Sequence, residues 1–340
     1  MRLHPKIIYA FLLLLLLVGV FADLAFGSAN ISLGEFFNAL WGKGGNPTTD
    51  FIIFHVRMPR VVTALITGAS LSVAGLLLQT LFHNPLAGPY VLGISSGAGL
   101  GVAIYIMASV AFIGISPAFI VGGQVMAALT GSVLVFFLIL SFSWRLGDSV
   151  SLLLIGMMVG SLASAIVGIL EFFASAEYVH KYVVWSLGSL AATNWLQLSF
   201  LAPLFVFATG LSLFLLKPMD ALLMGEMHAR VSGINVKKVR IAMIVISSLL
   251  AGTITAFTGP IAFVGMTVPH IVRLISGKVL HRVVLPGSIL VGALLMVLCD
   301  IISQLPGKAV TLPINAVTAL FGAPVVVVLI LRNRKMKVTF

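Results

Sequence analysis

The sequence predicts an all-α polytopic membrane protein of about ten transmembrane helices, with both termini in the cytoplasm. Three observations predict it. The first is composition: of 340 residues, 60% are apolar and only 9% charged, and the mean hydropathy is +1.18. A soluble domain is closer to a quarter charged, and no water-soluble core hides that much apolar surface. The second is continuity. The apolar runs often exceed 18 residues without the every-second-residue alternation of a barrel strand, so helices and not strands satisfy the backbone in lipid. The third is the placement of Lys and Arg.

At about 20 apolar residues per crossing, the spans fall at 7–27, 61–82, 90–108, 118–141, 150–173, 195–216, 238–257, 260–276, 283–304 and 312–331. The first follows Arg2 and Lys6 and resembles a signal-peptide core, but it runs on to Phe26 with no clean small-x-small site after it, so a retained helix is expected. The eighth is short and interrupted by Pro260 and Pro269. Turn residues fill the connections: WGKGGNP at 41–47, HNPLAGP at 83–89, WRLGD at 144–148 and QLPGK at 304–308. No segment is long and polar enough for a separate soluble domain, so residues 1–340 read as one transmembrane domain with a helical inner loop at about 217–236.

Threading ten spans from an inner N-terminus puts fifteen of the twenty Lys and Arg inside and leaves Lys43, Arg57, Arg60, Lys181 and Lys308 outside. The inverted topology reverses this bias, so the positive-inside rule selects the first. It also explains most of the net charge of +11 without nucleic acid. Trp41, Trp144, Trp185 and Trp195 fall near span ends, where amphipathic rings settle.

Arg57 and Arg60, in the run RMPR, are on the side the rule disfavours. Two readings stand: arginines snorkelling to the interface, or a pair held by Pro59 to bind something acidic outside, with Lys308 able to join them.

The nine acids are Asp23, Glu35, Asp50, Asp148, Glu171, Glu177, Asp220, Glu226 and Asp300, and none lies near the middle of a span. Ion-coupled transporters carry such groups within their spans. No Gly-x-x-x-x-Gly-Lys-Ser/Thr loop cradles a nucleotide. The seven histidines lack metal-ligand spacing, no metal or cofactor site is expected in this chain, and an enzyme is not indicated. Cys299 is the single cysteine, which excludes an intrachain disulfide. A conduit worked by a partner remains, with a secondary transporter as its rival.

Small residues allow close helix approach. Gly156, Gly160, Ser164 and Gly168 form one stripe in the fifth span, and Gly93, Gly97 and Gly101 form another in the third. Helix packing and a translocation wall both use such stripes. In the inner loop, Asp220 is placed to cap one short helix, Gly233 to end a second, and Glu226 and Arg230 to share a face. Met219, Leu222, Leu223, Met224, Met227 and Val231 make this loop too apolar for a solvated linker, so a helix laid in a partner's groove is expected.

Four stretches carry a resemblance. They are RMPRVVTALITGASLSVAGLLLQTLFHNPLAGPYVLGISSGAGLG at 57–101, GPIAFVGMTVPHIVRL at 259–274, HRVVLPGSILVGALLMVLCDII at 281–302 and LPINAVTALFGAPVVVVLILR at 312–332. In these the chain resembles the permease subunit of type II ABC importers, the family that takes up iron-siderophores, haem and vitamin B12. The resemblance implies a homodimer in the bacterial inner membrane, two ATPase subunits inside that bind ATP-Mg, and one binding protein outside. It implies docking of that protein on Arg57, Arg60 and Lys308. It implies ATPase coupling through Met219, Asp220, Leu223, Glu226, Arg230 and Gly233, although Glu226-Met227-His228 departs from the commoner Glu-Ala-Ala/Arg pattern. It implies an inner gate at Asn84, Leu86, Asp148 and Ser149, a path along Gly156, Gly160, Ser164 and Gly168, and alternating access for a metal chelate, iron-siderophore before cobalamin or haem.

Overall fold

A computed structural model of the chain describes residues 5–27, 31–41, 46–108, 120–145, 149–304 and 311–333. Among the described residues there is no strand. All ten expected spans appear as helices: α1 (Pro5–Ala25), α4 (Met58–Leu81), α5 (Ile94–Ala103), α6 (Ile120–Arg145), α7 (Ser149–Phe173), α9 (Trp195–Phe214), α12 (Val236–Thr258), α13 (Val264–Ser276), α14 (His281–Ser303) and α15 (Ile314–Asn333). Among the described residues seven helices are long and apolar enough to cross a membrane; Ile94–Met107, Val264–Ser276 and Ile314–Val328 are shorter apolar helices.

The outer connections hold helices that periodicity did not show. α2 (Leu33–Leu40) starts at a capping box in which Glu35 N–H donates to Ser32 Oγ at 3.3 Å and Ser32 N–H donates to Glu35 Oε2 at 3.0 Å. Those bonds hold the Glu35 carboxyl below its ordinary range. α3 (Pro47–Phe51) is capped by Asn46 and runs through a π-helical segment, Ile52–Arg57, straight into α4. The Phe54 carbonyl in that segment accepts from Trp195 Nε1 at 2.7 Å, which ties it to the start of α9. After α7 comes α8 (Ala176–Ser186), an outer helix with no buried residue.

α4 is the hub, packed against α1, α12, α13 and α14. Its glycines make this possible. A Cβ on Gly68 would overlap the Gly292 carbonyl of α14, and one on Gly75 would overlap the Gly265 carbonyl of α13. The Gly97–Gly101 stripe likewise meets α6: a Cβ on Gly131 would overlap the Gly97 carbonyl.

α13 has 13 residues, about 20 Å of helix, too short for a hydrocarbon core of about 30 Å. Non-helical chain precedes it, with Gly259 at φ 73° and Phe263 at φ 68°. Irregular backbone at such depth survives only where its polar groups find partners. Here Ala262 N–H donates to Asn315 Oδ1 at 3.0 Å, and the Thr258 carbonyl accepts from Ser189 N–H at 2.8 Å.

Candidate functional site

With the inner side assigned by Lys and Arg, polar groups gather at the two ends of α4. At the outer end, Arg57 and Arg60 are 4% and 9% exposed. Both find their partners inside the subunit. Arg57 Nη1 donates to the Leu24 and Ala25 carbonyls at 2.8 and 2.9 Å, closing the C-terminus of α1. Arg60 grips Asp300 of α14 in a bidentate pair, Nε to Oδ2 at 2.9 Å and Nη2 to Oδ1 at 2.8 Å. Gln304 Nε2 donates to Asp23 Oδ1 at 2.7 Å and to Asp300 Oδ2 at 3.1 Å. Asp23 and Asp300 are fully buried. The reason is electrostatic: a guanidinium at a span end is best neutralised by an acid on a neighbouring span. Lys308 lies outside the described residues.

At the inner end, the loop after α9 forms α10 (Leu216–Leu222) and α11 (Glu226–Val231). Met219 is fully buried and Leu222 nearly so, whereas Met224, Met227 and Val231 are 71%, 77% and 83% exposed. The apolar residues of the loop therefore divide into an anchor and an unpartnered face, and Met219 belongs to the anchor. Leu223 is half-buried. Asp220 is not a cap: α10 starts at Leu216, and the carboxylate reaches His281 instead. Glu226 pairs with Arg230 at 3.5 Å as its spacing implied, but its closer partner is Arg240 of α12 at 2.7 Å. Gly233 follows α11 at φ 81°, the left-handed conformation that ends a helix. Ile234 N–H then donates to the Ala229 carbonyl at 3.0 Å.

The gate residues fare unevenly. Asn84 Oδ1 accepts from Leu86 N–H at 2.9 Å, a side-chain turn that locks the chain just after α4, and Leu86 is 40% exposed. Ser149 is the first residue of α7. Asp148 lies outside the described residues. The stripe on α7 divides. Gly156 is buried, its carbonyl 2.8 Å from where a Gly93 Cβ would sit, and Gly160 rests on Ser96. That half is helix packing. Ser164 and Gly168 are exposed, and nothing lies within 4 Å of a Cβ on Gly168.

A cavity of about 580 Å³ opens at the outer ends of α5, α6, α8 and α12. Tyr105, Tyr178, Trp185 and Phe257 supply aromatic walls, and Gln124, His180 and Lys181 the polar rim. Lys181 Nζ donates to Glu177 Oε1 at 2.6 Å. This bond holds the Glu177 carboxyl below its usual range and the Lys181 ammonium above its own. Burial pushes the nearby Tyr182 phenol up.

The sequence reading missed Asp300, Gln304, Asp23, His281, Thr80, Gln79 and Arg273 as site residues. One signal was available for the outer group: acids and arginines at the same membrane depth on different spans seek each other. The inner group had no signal, because its partners lie 61 to 201 positions apart in the chain.

The FecCD transport family matches residues 14–332. The hemin transport system permease protein HmuU of Yersinia pestis is 33% identical over 338 residues, covering 99% of this chain and 98% of that protein. The vitamin B12 import system permease protein BtuC of Klebsiella pneumoniae is 35% identical over 323 residues, 95% of this chain and 93% of that protein. Among solved structures, a transporter described as of the metal-chelate ABC type, in an inward-facing conformation, superposes with a TM-score of 0.84 at 31% identity, covering 97% of this chain and all of that one. With these relatives and its apolar spans the chain is a multi-pass protein of the bacterial inner membrane. It belongs to the FecCD transport family, as a permease of the type II ABC importer class.

Proposed function

We propose that this chain is the membrane path of an ATP-driven importer for a metal chelate, working by alternating access. The observation that carries the reading is the inner hairpin. Met219 and Leu222 are buried in the subunit, while Met224, Met227 and Val231 are exposed. A membrane protein gains nothing by holding an apolar face in water; a partner's groove gives that face a purpose. The partner is a separate ATPase carrying ATP-Mg, one copy per permease, with two permeases forming the dimer. Asp220, Leu223, Glu226, Arg230 and Gly233 shape or hold the hairpin. Ser164 and Gly168 border the path or the seam between subunits. Asn84, Leu86 and Ser149, with Asp148, gate the inner end.

A binding protein docks outside. For Arg57 and Arg60 to meet its acidic groups directly, they must leave the Ala25 carbonyl and Asp300, so docking on them draws on the buried network as well as the surface. An iron chelate is the proposed cargo, a siderophore complex first. Haem is the second reading, favoured by the aromatic walls of the outer cavity, with cobalamin beside it.

The test is a mild-detergent pull-down from native membranes followed by uptake in vesicles. An ATPase recovered one-to-one, and ATP-dependent entry of iron-55 siderophore or haem, support the reading. A chain that comes down alone and moves cargo under an ionophore-sensitive gradient would return the secondary transporter. Gly233→Asp, which forces a side chain into the left-handed region, is expected to cut uptake more than ATP hydrolysis. Unchanged uptake would remove Gly233 from the coupling element.

A further inference from the structure

We infer that His281 is a positioning residue that transmits movement of the inner hairpin to the gate end of α4. The inference rests on the reading of α10 and α11 as the ATPase handle, and three features of the structure carry it.

The first is the bonding of His281 itself. It opens α14 and is fully buried. Its backbone N–H and its Nδ1 both reach Asp220 Oδ1 of α10, each at 2.7 Å. A carboxylate only accepts, so Nδ1 carries the hydrogen. The opposite ring nitrogen, Nε2, lies 2.8 Å from Thr80 Oγ1 near the inner end of α4. The Thr80 hydroxyl has one hydrogen, shared between the Leu76 carbonyl at 3.0 Å and, in the neutral ring, Nε2 as acceptor. One imidazole thus spans three elements, α10, α14 and α4.

The second is what lies beside Thr80. Gln79 accepts from Arg273 Nη1 of α13 at 2.8 Å and donates to the Met266 carbonyl at 2.8 Å. Neighbouring residues of α4 therefore fasten it to α13 on one side and, through His281, to α14 and α10 on the other. The helix ends one residue after Thr80, at Leu81, and the Asn84–Leu86 turn follows.

The third is a shorter contact from the same hairpin to the turn. His83, held at φ 47°, places Nε2 3.0 Å from the Leu222 carbonyl. Leu223 and Arg273 face Asn84 and Pro85 across a cavity of about 20 Å³.

Apolar anchors such as Met219 let helices slide, because dispersion is not directional. A chain of short hydrogen bonds in a low-dielectric interior resists sliding and rotation. Asp220, His281 and Thr80 make that rigid link. A displacement of α10 then moves the inner ends of α14 and α4 together, and the gate turn with them.

The experiment uses the permease reconstituted with its co-purified ATPase and a binding protein in proteoliposomes. Uptake of iron-55 hydroxamate chelate or haem, whichever the wild type imports, and ATP hydrolysis are read on the same vesicles. His281→Leu keeps bulk and removes both ring bonds. Transport per ATP is expected to fall about ten-fold while basal hydrolysis and the yield of assembled complex hold. A merely structural histidine lowers yield, uptake and hydrolysis in proportion, and that outcome, or an unchanged ratio, overturns the inference. If His281→Leu does not fold, Thr80→Val, which removes one hydroxyl at constant volume, is read instead. It is expected to lower the same ratio, and an unchanged ratio overturns the inference. In the double variant the two losses are expected not to add, as for residues in one network; full additivity overturns the link between them. Failure of the wild-type chain to recruit any ATPase overturns the handle reading, and this inference with it.

Discussion

α4 and α7 look alike as sequence and sit in opposite environments. Their best 18-residue windows have mean hydropathies of 2.1 and 2.3, and both carry spaced glycines. Yet 89% of the first window is buried inside the subunit and only 22% of the second. The difference lies in which side chains accompany the glycines. α4 buries Thr63, Ser72, Gln79 and Thr80, whereas α7 exposes Met158, Leu162, Phe172 and Phe173 at 63% or more. In lipid the solvent is as apolar as leucine, so burial is not bought with hydrophobicity. Close approach and hydrogen bonding decide which helix becomes the hub. Thr63 shows the rule: its hydroxyl donates to the Pro59 carbonyl at 2.7 Å and also meets Thr193 of the chain before α9.

The largest expected effect tests that rule on the hub. Gly68→Leu drives a side chain into the Gly292 carbonyl and Met296. No rotamer avoids backbone, so the α4–α14 crossing is lost and little monodisperse subunit is expected in detergent. Gly168→Leu, with nothing within 4 Å of its Cβ, is the matched control on α7 and is expected to purify like the wild type. Equal yields of the two would mean that glycine spacing does not distinguish hub from periphery.

Next comes the charge pair at the outer end of α4. Asp300→Asn removes the direct carboxylate partner of the buried Arg60 guanidinium and leaves Asp23 as the one acid of the cluster, an expected loss of up to about 3–5 kcal/mol in the free energy of unfolding. Replacing both partners by Leu is expected to cost less than Asp300→Asn alone. The charge-swapped chain, Arg60→Asp with Asp300→Arg, separates folding from docking. A swapped permease that folds and no longer captures the binding protein would assign docking to the position of Arg60. Retained capture would make the pair purely internal.

How much of this was legible follows from how far apart the cause and its effect lie in the chain. The ten spans and their direction depend on local apolar runs and on counted charges, and both are visible in the sequence. The outer helices α2, α3 and α8 were not seen, because turn-forming residues such as WGKGGNP masked helices only 5 to 11 residues long. Asp220 was legible as a helix residue but misassigned as a cap, since its true partner, His281, is 61 positions away. The Gly156 stripe was legible as a smooth face. Its division into a packed half and an open half depends on Gly93 and Ser96, which no periodicity in α7 reveals.

A smaller effect tests that division. Gly160→Leu pushes on Ser96 Oγ, 3.3 Å from where the Cβ would sit, and on Gly93. Overpacking of this kind costs about 1–3 kcal/mol, so its unfolding midpoint is expected to drop and its transport to fall with it. Gly168→Leu is expected to leave the midpoint alone and lower transport only. Two measurements on two variants, midpoint and uptake, then place the boundary between packing and path along α7. Identical profiles would erase it.

The smallest effect is expected just beyond α7, on α8. The Lys181–Glu177 pair is short at 2.6 Å, but both side chains are largely exposed, at 47% and 70%. Solvent and salt screen such a pair, so Lys181→Met is expected to leave the unfolding midpoint at neutral pH within error. The pH dependence has a definite sign. Glu177 is held below its ordinary range by the hydrogen bond and charge of Lys181, so its contribution is present above the unfolded carboxylate value and lost as pH falls through the lowered one. Lys181 is held above its ordinary value by the same bond, so its contribution is present below that value and lost as pH rises through the raised one. Between those limits the pair adds a constant. Wild type and Lys181→Met are therefore expected to give midpoint curves that coincide within error across neutral pH, any small offset vanishing at the acid and alkaline ends. A midpoint shift as large as that of Asp300→Asn would show that an exposed pair on α8 matters as much as a buried one on α4, and would break the contrast between the two regions.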